Sequence, residues 1–144
     1  TRVRATALPP SPVPRPRHPR SRTRPHEFAE HRVTSPLPLL VITTVGTHDD
    51  ARRLARELVD LKLAACAQVE PIESTYRWKG TVASEPEYRV MFKTTEALYE
   101  RVEAALRERH PYELPAIHAV LTVRAETAYA QWVASQGEAA PRAL

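Results

Sequence analysis

Hydrophobic positions along residues 37–136 follow two different periods, and each change of period marks the end of a predicted strand or helix. Residues 37–45 (LPLLVITTV) form a short apolar, β-branched run before Gly46, which is typical of a buried strand. Apolar residues then recur three and four positions apart from residue 51, which predicts an amphipathic helix to about residue 61. Thr47, with Asp50 three positions later, has the pattern of an N-terminal helix cap.

Alternation with a period of two begins at residue 63 and predicts a second strand that continues to residue 78. Pro71 interrupts it and predicts a bend or bulge. Lys79 and Gly80 signal a turn, and residues 87–95 are predicted as the third strand, so the two strands form one long hairpin. Strands of about 12–15 residues are longer than most strands of a small domain. We therefore expect the overhang to pair with another subunit.

The remaining pattern predicts a second helix, a fourth strand and a short third helix. Residues 96–109 carry a helical stripe, capped by Thr94 or Thr95 and ended before Pro111. Residues 116–123 alternate as a strand, and Thr127 is predicted to cap a helix over residues 128–136. The order β-α-β-β-α-β with an added C-terminal helix predicts an α+β, ferredoxin-like sandwich. One sheet face remains uncovered by so small a chain, which predicts self-association.

Composition separates an N-terminal leader from the folded part. Residues 1–38 hold nine of the 14 prolines and eight arginines against two glutamates, whereas residues 39–144 hold 13 basic and 15 acidic residues. We predict a disordered Pro/Arg-rich leader over residues 1–36, one domain over residues 37–136 and a tail over residues 137–144. For the leader, a dispensable extension, an organelle transit peptide, a basic tether and an SH3-type ligand are the interpretations left open.

Several classes of protein are excluded or disfavoured. The excess positive charge lies in the leader, so a basic nucleic-acid-binding domain is disfavoured, and no run of 18 apolar residues exists for a transmembrane helix. A single cysteine, Cys66, excludes an intrachain disulfide and suits a reducing interior, so a cytoplasmic location is expected, with organelle targeting left open. The sequence contains no nucleophile elbow, P-loop, dinucleotide fingerprint or HExxH motif, and we predict that the protein is not an enzyme.

Four short segments occur in an order that resembles the CutA family of divalent-cation tolerance proteins. They are LKLAACAQV at 61–69, YRWKG at 76–80, FKTT at 92–95 and HPYELP at 110–115. The resemblance spans about residues 38–136. It implies a ferredoxin-like subunit in a homotrimer, with long hairpins that complete sheets between subunits. It also implies a role in metal-ion tolerance with copper binding, and a trimer similar to that of the PII signalling proteins.

The resemblance implies two candidate metal ligands. In some CutA proteins two consecutive histidines at a helix end bind copper together with a cysteine at the end of the first strand. The matching positions here are Arg109, His110 and Thr43, so one ligand of three is retained. His110 is therefore a candidate copper ligand, and the alternative is a helix C-cap. Cys66 is expected on the Gln68 side of its strand, where three thiols at a trimer axis would bind a soft metal; the alternative is a packed interface residue.

A second set of residues is predicted to line a cleft between subunits. Its members are aromatic or charged: Tyr76, Trp78, Lys93, Tyr112 and Glu113. Lys93 next to a helix N-terminus suggests a small anionic ligand, as in a PII-like signalling module. The alternatives are packing on a neighbouring subunit and a surface ion pair. A trimeric scaffold for a protein partner is the third functional hypothesis.

Four other side chains are predicted to have structural roles. Glu85 and Glu87 are expected on a solvated hairpin edge, and His48 and His118 are expected to be structural.

Overall fold

The computed structural model describes residues 36–137, which form a four-stranded antiparallel sheet and three α-helices. The strands are β1 (Leu39–Val45), β2 (Cys66–Trp78), β3 (Thr81–Thr94) and β4 (Ile117–Leu121). The helices are α1 (His48–Asp60), α2 (Tyr99–Arg109) and α3 (Thr127–Gln136), and a 3-10 turn (Glu96–Leu98) leads into α2. The predicted leader and tail lie almost wholly outside the described residues.

The predicted α+β class and element order are confirmed, and the strands lie in the order β2-β3-β1-β4. β2 and β3 are 13 and 14 residues long, as expected for the long hairpin. β1 pairs with β3 only as far as Tyr88, so residues 81–87 of β3 pair with β2 alone and form an overhang with it. No helix within residues 36–137 is both long and apolar enough to cross a membrane.

The predicted bulge at Pro71 is wrong. Pro71 pairs with Tyr88 in a register that continues without a slip from Cys66 opposite Lys93 to Trp78 opposite Thr81. β2 is an edge strand of the sheet that residues 36–137 form, and an edge strand tolerates proline because the missing N–H can point away from the ladder.

The two faces of the sheet differ in cover. α1 and α2 pack on one face, where alternate residues of β1 and β3 are buried in a common core. The core includes Val41, Val45, Leu54, Val90, Phe92 and Leu106. The opposite face, here called the open face, carries Leu40, Ile42, Met91 and Val120, none of which is fully buried. Its incomplete cover agrees with the expectation from sequence.

Helix starts follow the sequence only in part. Thr47 caps α1 as predicted, because its hydroxyl accepts the Asp50 N–H at 3.1 Å. The second helical segment starts after Thr95, one of the two predicted caps, but neither threonine makes a side-chain cap bond. Thr94 is buried and donates its hydroxyl to the Leu63 carbonyl at 2.7 Å, and Thr95 makes no side-chain cap bond. The Thr94 hydroxyl, which could have capped the helix locally, is therefore used in a tertiary hydrogen bond 31 positions away in the same chain.

The cap of α3 comes from the residue before the predicted one. The Glu126 carboxylate accepts the N–H groups of Ala128 and Tyr129 at 3.0 and 2.8 Å. A carboxylate suits this position because the exposed N–H groups give a helix N-terminus partial positive charge. These two bonds lower the pKa of Glu126.

Lys62 ends α1 in a conformation that favours glycine. Its φ is 58°, and the Leu63 N–H reaches back to the Leu58 carbonyl at 3.0 Å. A side chain in this left-handed region costs about 1 kcal/mol. We expect Lys62→Gly to raise the free energy of unfolding by about 0.5–1 kcal/mol in urea denaturation, after the entropy that glycine adds to the unfolded chain. Lys62→Ala keeps the Cβ and should give no gain in stability. Equal free energies of unfolding for Lys62→Gly and Lys62→Ala would contradict the prediction.

Candidate functional site

A groove of about 890 Å³ lies between the β2–β3 overhang and segment 111–116, which follows α2. We call it the hairpin groove. Tyr76, Trp78, Tyr112 and Glu113, four of the five residues predicted for the cleft, line it. The long hairpin supplies the first two, and the turn after α2 supplies the others. The hairpin groove is thus formed within one subunit, and whether a second subunit borders it stays a prediction.

Two tyrosine–glutamate pairs line the hairpin groove. The Tyr112 hydroxyl donates to Glu87 Oε2 at 2.8 Å, and the Tyr76 hydroxyl donates to Glu85 Oε2 at 2.9 Å. Burial and the bond to Glu87 raise the pKa of Tyr112, and the bond to Glu85 raises the pKa of Tyr76. Both phenols therefore remain protonated donors at neutral pH. Gly46 leaves the space for Tyr112, because a Cβ there would lie 3.1 Å from the Tyr112 hydroxyl oxygen.

His110 is the C-cap of α2, and its ring is bonded on both sides. Nε2 lies 3.0 Å from Thr43 Oγ1 and 3.1 Å from the Thr44 carbonyl oxygen, and Nδ1 accepts the Tyr112 N–H at 3.1 Å. Because Nδ1 accepts, the hydrogen-bond network assigns the proton of the neutral ring to Nε2. Burial lowers the pKa of His110, against an opposing effect of the Thr44 carbonyl. A metal ion at this ring would have to displace one of these partners.

Cys66, the other candidate metal ligand, lies on the opposite side of the sheet from His110. It is a free, half-buried thiol at the start of β2, paired in register with Lys93 on the open face. His110 instead contacts Thr43, which faces the helices. One ion therefore cannot bind both residues of the same subunit. Over residues 36–137, no three or more His, Cys, Asp or Glu side chains converge to hold a metal ion.

Lys93 does not line the hairpin groove. Its Nζ lies 5.5 Å from the ring centroid of Tyr129 in α3. Of the described residues that line the groove, four are glutamates and one, Arg89, is a cation. Arg89 is paired with Glu70 at 2.7 Å. This charge does not suit a small anionic ligand, which the sequence had suggested on the basis of Lys93.

The two histidines expected to be structural are placed as follows. His48 is the first residue of α1 and stacks on Tyr88, with ring centroids 5.1 Å apart. His118 is exposed on β4, opposite Ile42.

Some residues of the site were not identified from sequence. Glu87 is only 8 % exposed and holds Tyr112, although it was expected on a solvated edge. Thr43 and Thr44 hold His110 across 67 and 66 positions of sequence, respectively. The signal that could have identified Glu87 is its register opposite Ile72, an apolar residue in an otherwise polar part of β2.

The family model for the CutA1 divalent ion tolerance protein matches residues 39–136. The chain belongs to the CutA1 family. The divalent-cation tolerance protein CutA of Thermotoga maritima is 35% identical over 95 residues, which cover 66% of this chain and 94% of that protein. The structure of CutA from Synechococcus elongatus is similar with a TM-score of 0.68 and 36% identity, over 71% of this chain and 91% of that one.

A plant relative differs in length. Protein CutA, chloroplastic, of Arabidopsis thaliana is 32% identical over 96 residues, 66% of this chain but 53% of that protein. The match to these CutA proteins makes this chain a member of a divalent-cation tolerance family.

Proposed function

We propose that this CutA1-family protein binds divalent metal ions, with copper as the leading candidate, and that it contributes to metal-ion tolerance by capture of the ion, not by turnover. The observation that carries the proposal is the family match across residues 39–136, which is nearly the whole folded part. The chemistry of the candidate ligands supports copper: imidazole suits Cu(II), and thiolate suits Cu(I).

We further propose that the working unit is a homotrimer of ferredoxin-like subunits. Apolar residues of the open face and the overhang support this, because a small domain gains core by burying such surface between copies. Multi-angle light scattering should give three times the 16.3 kDa chain mass. A mass of one chain at micromolar concentration would overturn the trimer.

Within this proposal, Cys66 is favoured over His110 as the metal ligand. Cys66 lies on the open face, where copies are proposed to meet, whereas both ring nitrogens of His110 already have partners. Thiolates from several copies would form a site suited to a soft ion without displacing an internal hydrogen bond. His110 would bind a metal ion only after its ring had lost the hydrogen bond to the Tyr112 N–H or to the Thr44 carbonyl.

Copper titrations in two oxidation states separate the two ligands. We expect the full chain to bind Cu(I), titrated without oxygen against a chromophoric chelator, and Cys66→Ser to lose this binding. Cu(II) calorimetry with His110→Gln tests the imidazole, and Zn(II) is the control metal. Loss of binding with His110→Gln alone would move the site to the end of α2. Absence of saturable binding of every metal would overturn the proposed function.

We propose a cytoplasmic location, with organelle import as the competing hypothesis. The Arg-rich leader and the chloroplastic name of the Arabidopsis relative support the competitor. Residues 1–38 fused to a fluorescent protein should leave it in the cytoplasm, and import into an organelle would overturn the proposal.

A further inference from the structure

A second sulfur atom lies near Cys66 on the open face. Met91 is the only methionine of the chain, and it pairs in register with Gln68, two residues after Cys66 on β2. Because side chains alternate between the two faces along each strand, Cys66 and Met91 are diagonal neighbours on one face. Diagonal Cα atoms lie about 7–8 Å apart, within reach of a long side chain, and methionine is long and flexible. Both side chains are half-buried.

The neighbours of this sulfur pair favour a monovalent ion. Ile42 of β1 pairs with Met91 and supplies an apolar flank, and Lys93 of β3 is directly opposite Cys66. A monovalent ion bound to one thiolate has no net charge, whereas a divalent ion would keep one positive charge close to Lys93, which would repel it. Over residues 36–137, no three or more His, Cys, Asp or Glu side chains converge, so one subunit lacks the ligand set that zinc usually takes.

We propose that Cys66 and Met91 of each subunit bind one Cu(I) ion between them. Thiolate and thioether sulfur are the soft ligands that select Cu(I). The thiol releases its proton to water when it binds, and the thioether has no proton to release. This site rests on the proposed metal-binding function, and it adds a second ligand, an oxidation state and a stoichiometry of one ion per chain. A site built from the thiolates of three copies would instead take one ion per three chains.

Competition with a chromophoric Cu(I) chelator, without oxygen, tests the thioether in the full chain. Met91→Leu removes the sulfur but keeps the side chain apolar and similar in volume. Ile42→Leu, a change at the residue opposite Met91, is the control. We expect Met91→Leu to bind Cu(I) about tenfold more weakly than the unmodified chain, and Ile42→Leu to change the affinity less than about twofold. An equal loss for both variants would overturn the role of the sulfur.

Methyl NMR observes the thioether without any substitution. A chain with carbon-13 in its methionine methyl groups gives a signal for Met91, which Met91→Leu identifies by its loss. Cu(I) is diamagnetic, so the signal of the bound state remains visible. One equivalent of Cu(I) per chain should complete the shift of this signal, and Zn(II) should leave it in place. An unmoved signal while Cu(I) is bound, or saturation at one ion per three chains, would overturn the site.

The outcomes separate this site from the proposed function. Cu(I) binding that Cys66→Ser removes and Met91→Leu leaves unchanged would overturn Met91 as a ligand, but metal binding by Cys66 would stand. Binding of Cu(II) or Zn(II) without binding of Cu(I) would overturn the sulfur pair alone. Absence of binding of every metal would overturn both.

Discussion

Replacing Phe92 with alanine is expected to lower the free energy of unfolding by roughly 3–5 kcal/mol. Phe92 is fully buried near the C-terminal end of β3, where it pairs with Val41 of β1 and Ala67 of β2. Its ring packs under the helices in the main core. The substitution therefore removes apolar contact and leaves a cavity that a close-packed core cannot fully close.

Urea denaturation at one fixed protein concentration measures this effect, because the stability of an oligomer depends on concentration. Phe92→Leu is the matched control, since it keeps most of the volume and should lose less than half as much stability. A loss below about 1.5 kcal/mol for Phe92→Ala would contradict the central position of this ring.

The position of Phe92 could be predicted, since the period of β3 between residues 88 and 94 is regular. The start of β3 at Thr81 could not be predicted, because none of residues 81–86 is buried and they show no hydrophobic alternation. Pairing with β2 holds them in the strand, through contacts such as Thr75 Oγ1 to Ser84 Oγ at 2.9 Å. The alternation of hydrophobic residues therefore predicts the parts of strands that contact the core. It cannot predict the parts of a strand that extend past the core.

Four of the five residues predicted for a cleft line the hairpin groove, and their role as a ligand site stays a prediction. Tyr76 and Trp78 follow from the hairpin, and Tyr112 and Glu113 follow from the family resemblance. Lys93 lies instead against α3, which comes more than 30 positions later in the chain. No local pattern in residues 92–95 encodes that contact.

His110→Ala is expected to lower the free energy of unfolding by roughly 2–3 kcal/mol, although the lost side chain is only partly buried. The substitution removes the bonds to the Thr44 carbonyl and the Tyr112 N–H, and it leaves the fully buried Thr43 hydroxyl without this partner. Segment 111–116 then loses its attachment to β1. His118→Ala, a change at the exposed histidine of β4, is the control and should lose less than about 0.5 kcal/mol.

The same variant should change how stability depends on pH. Burial lowers the pKa of His110 in the folded state below the unfolded value of 6.5, so the unfolded chain binds a proton first as pH falls. The stabilisation is therefore complete above about pH 6.5 and declines as pH falls toward the lowered folded pKa. Facing groups act on this balance: Asp50 of α1 and Glu87 of β3 raise the pKa, and Arg53 of α1 lowers it. Urea denaturation should therefore show that the free energy of unfolding of the unmodified chain declines between pH 7.5 and 5, and that His110→Ala lacks this decline. Parallel plots of the free energy of unfolding against pH for the two proteins would mean that the neutral ring does not hold this segment.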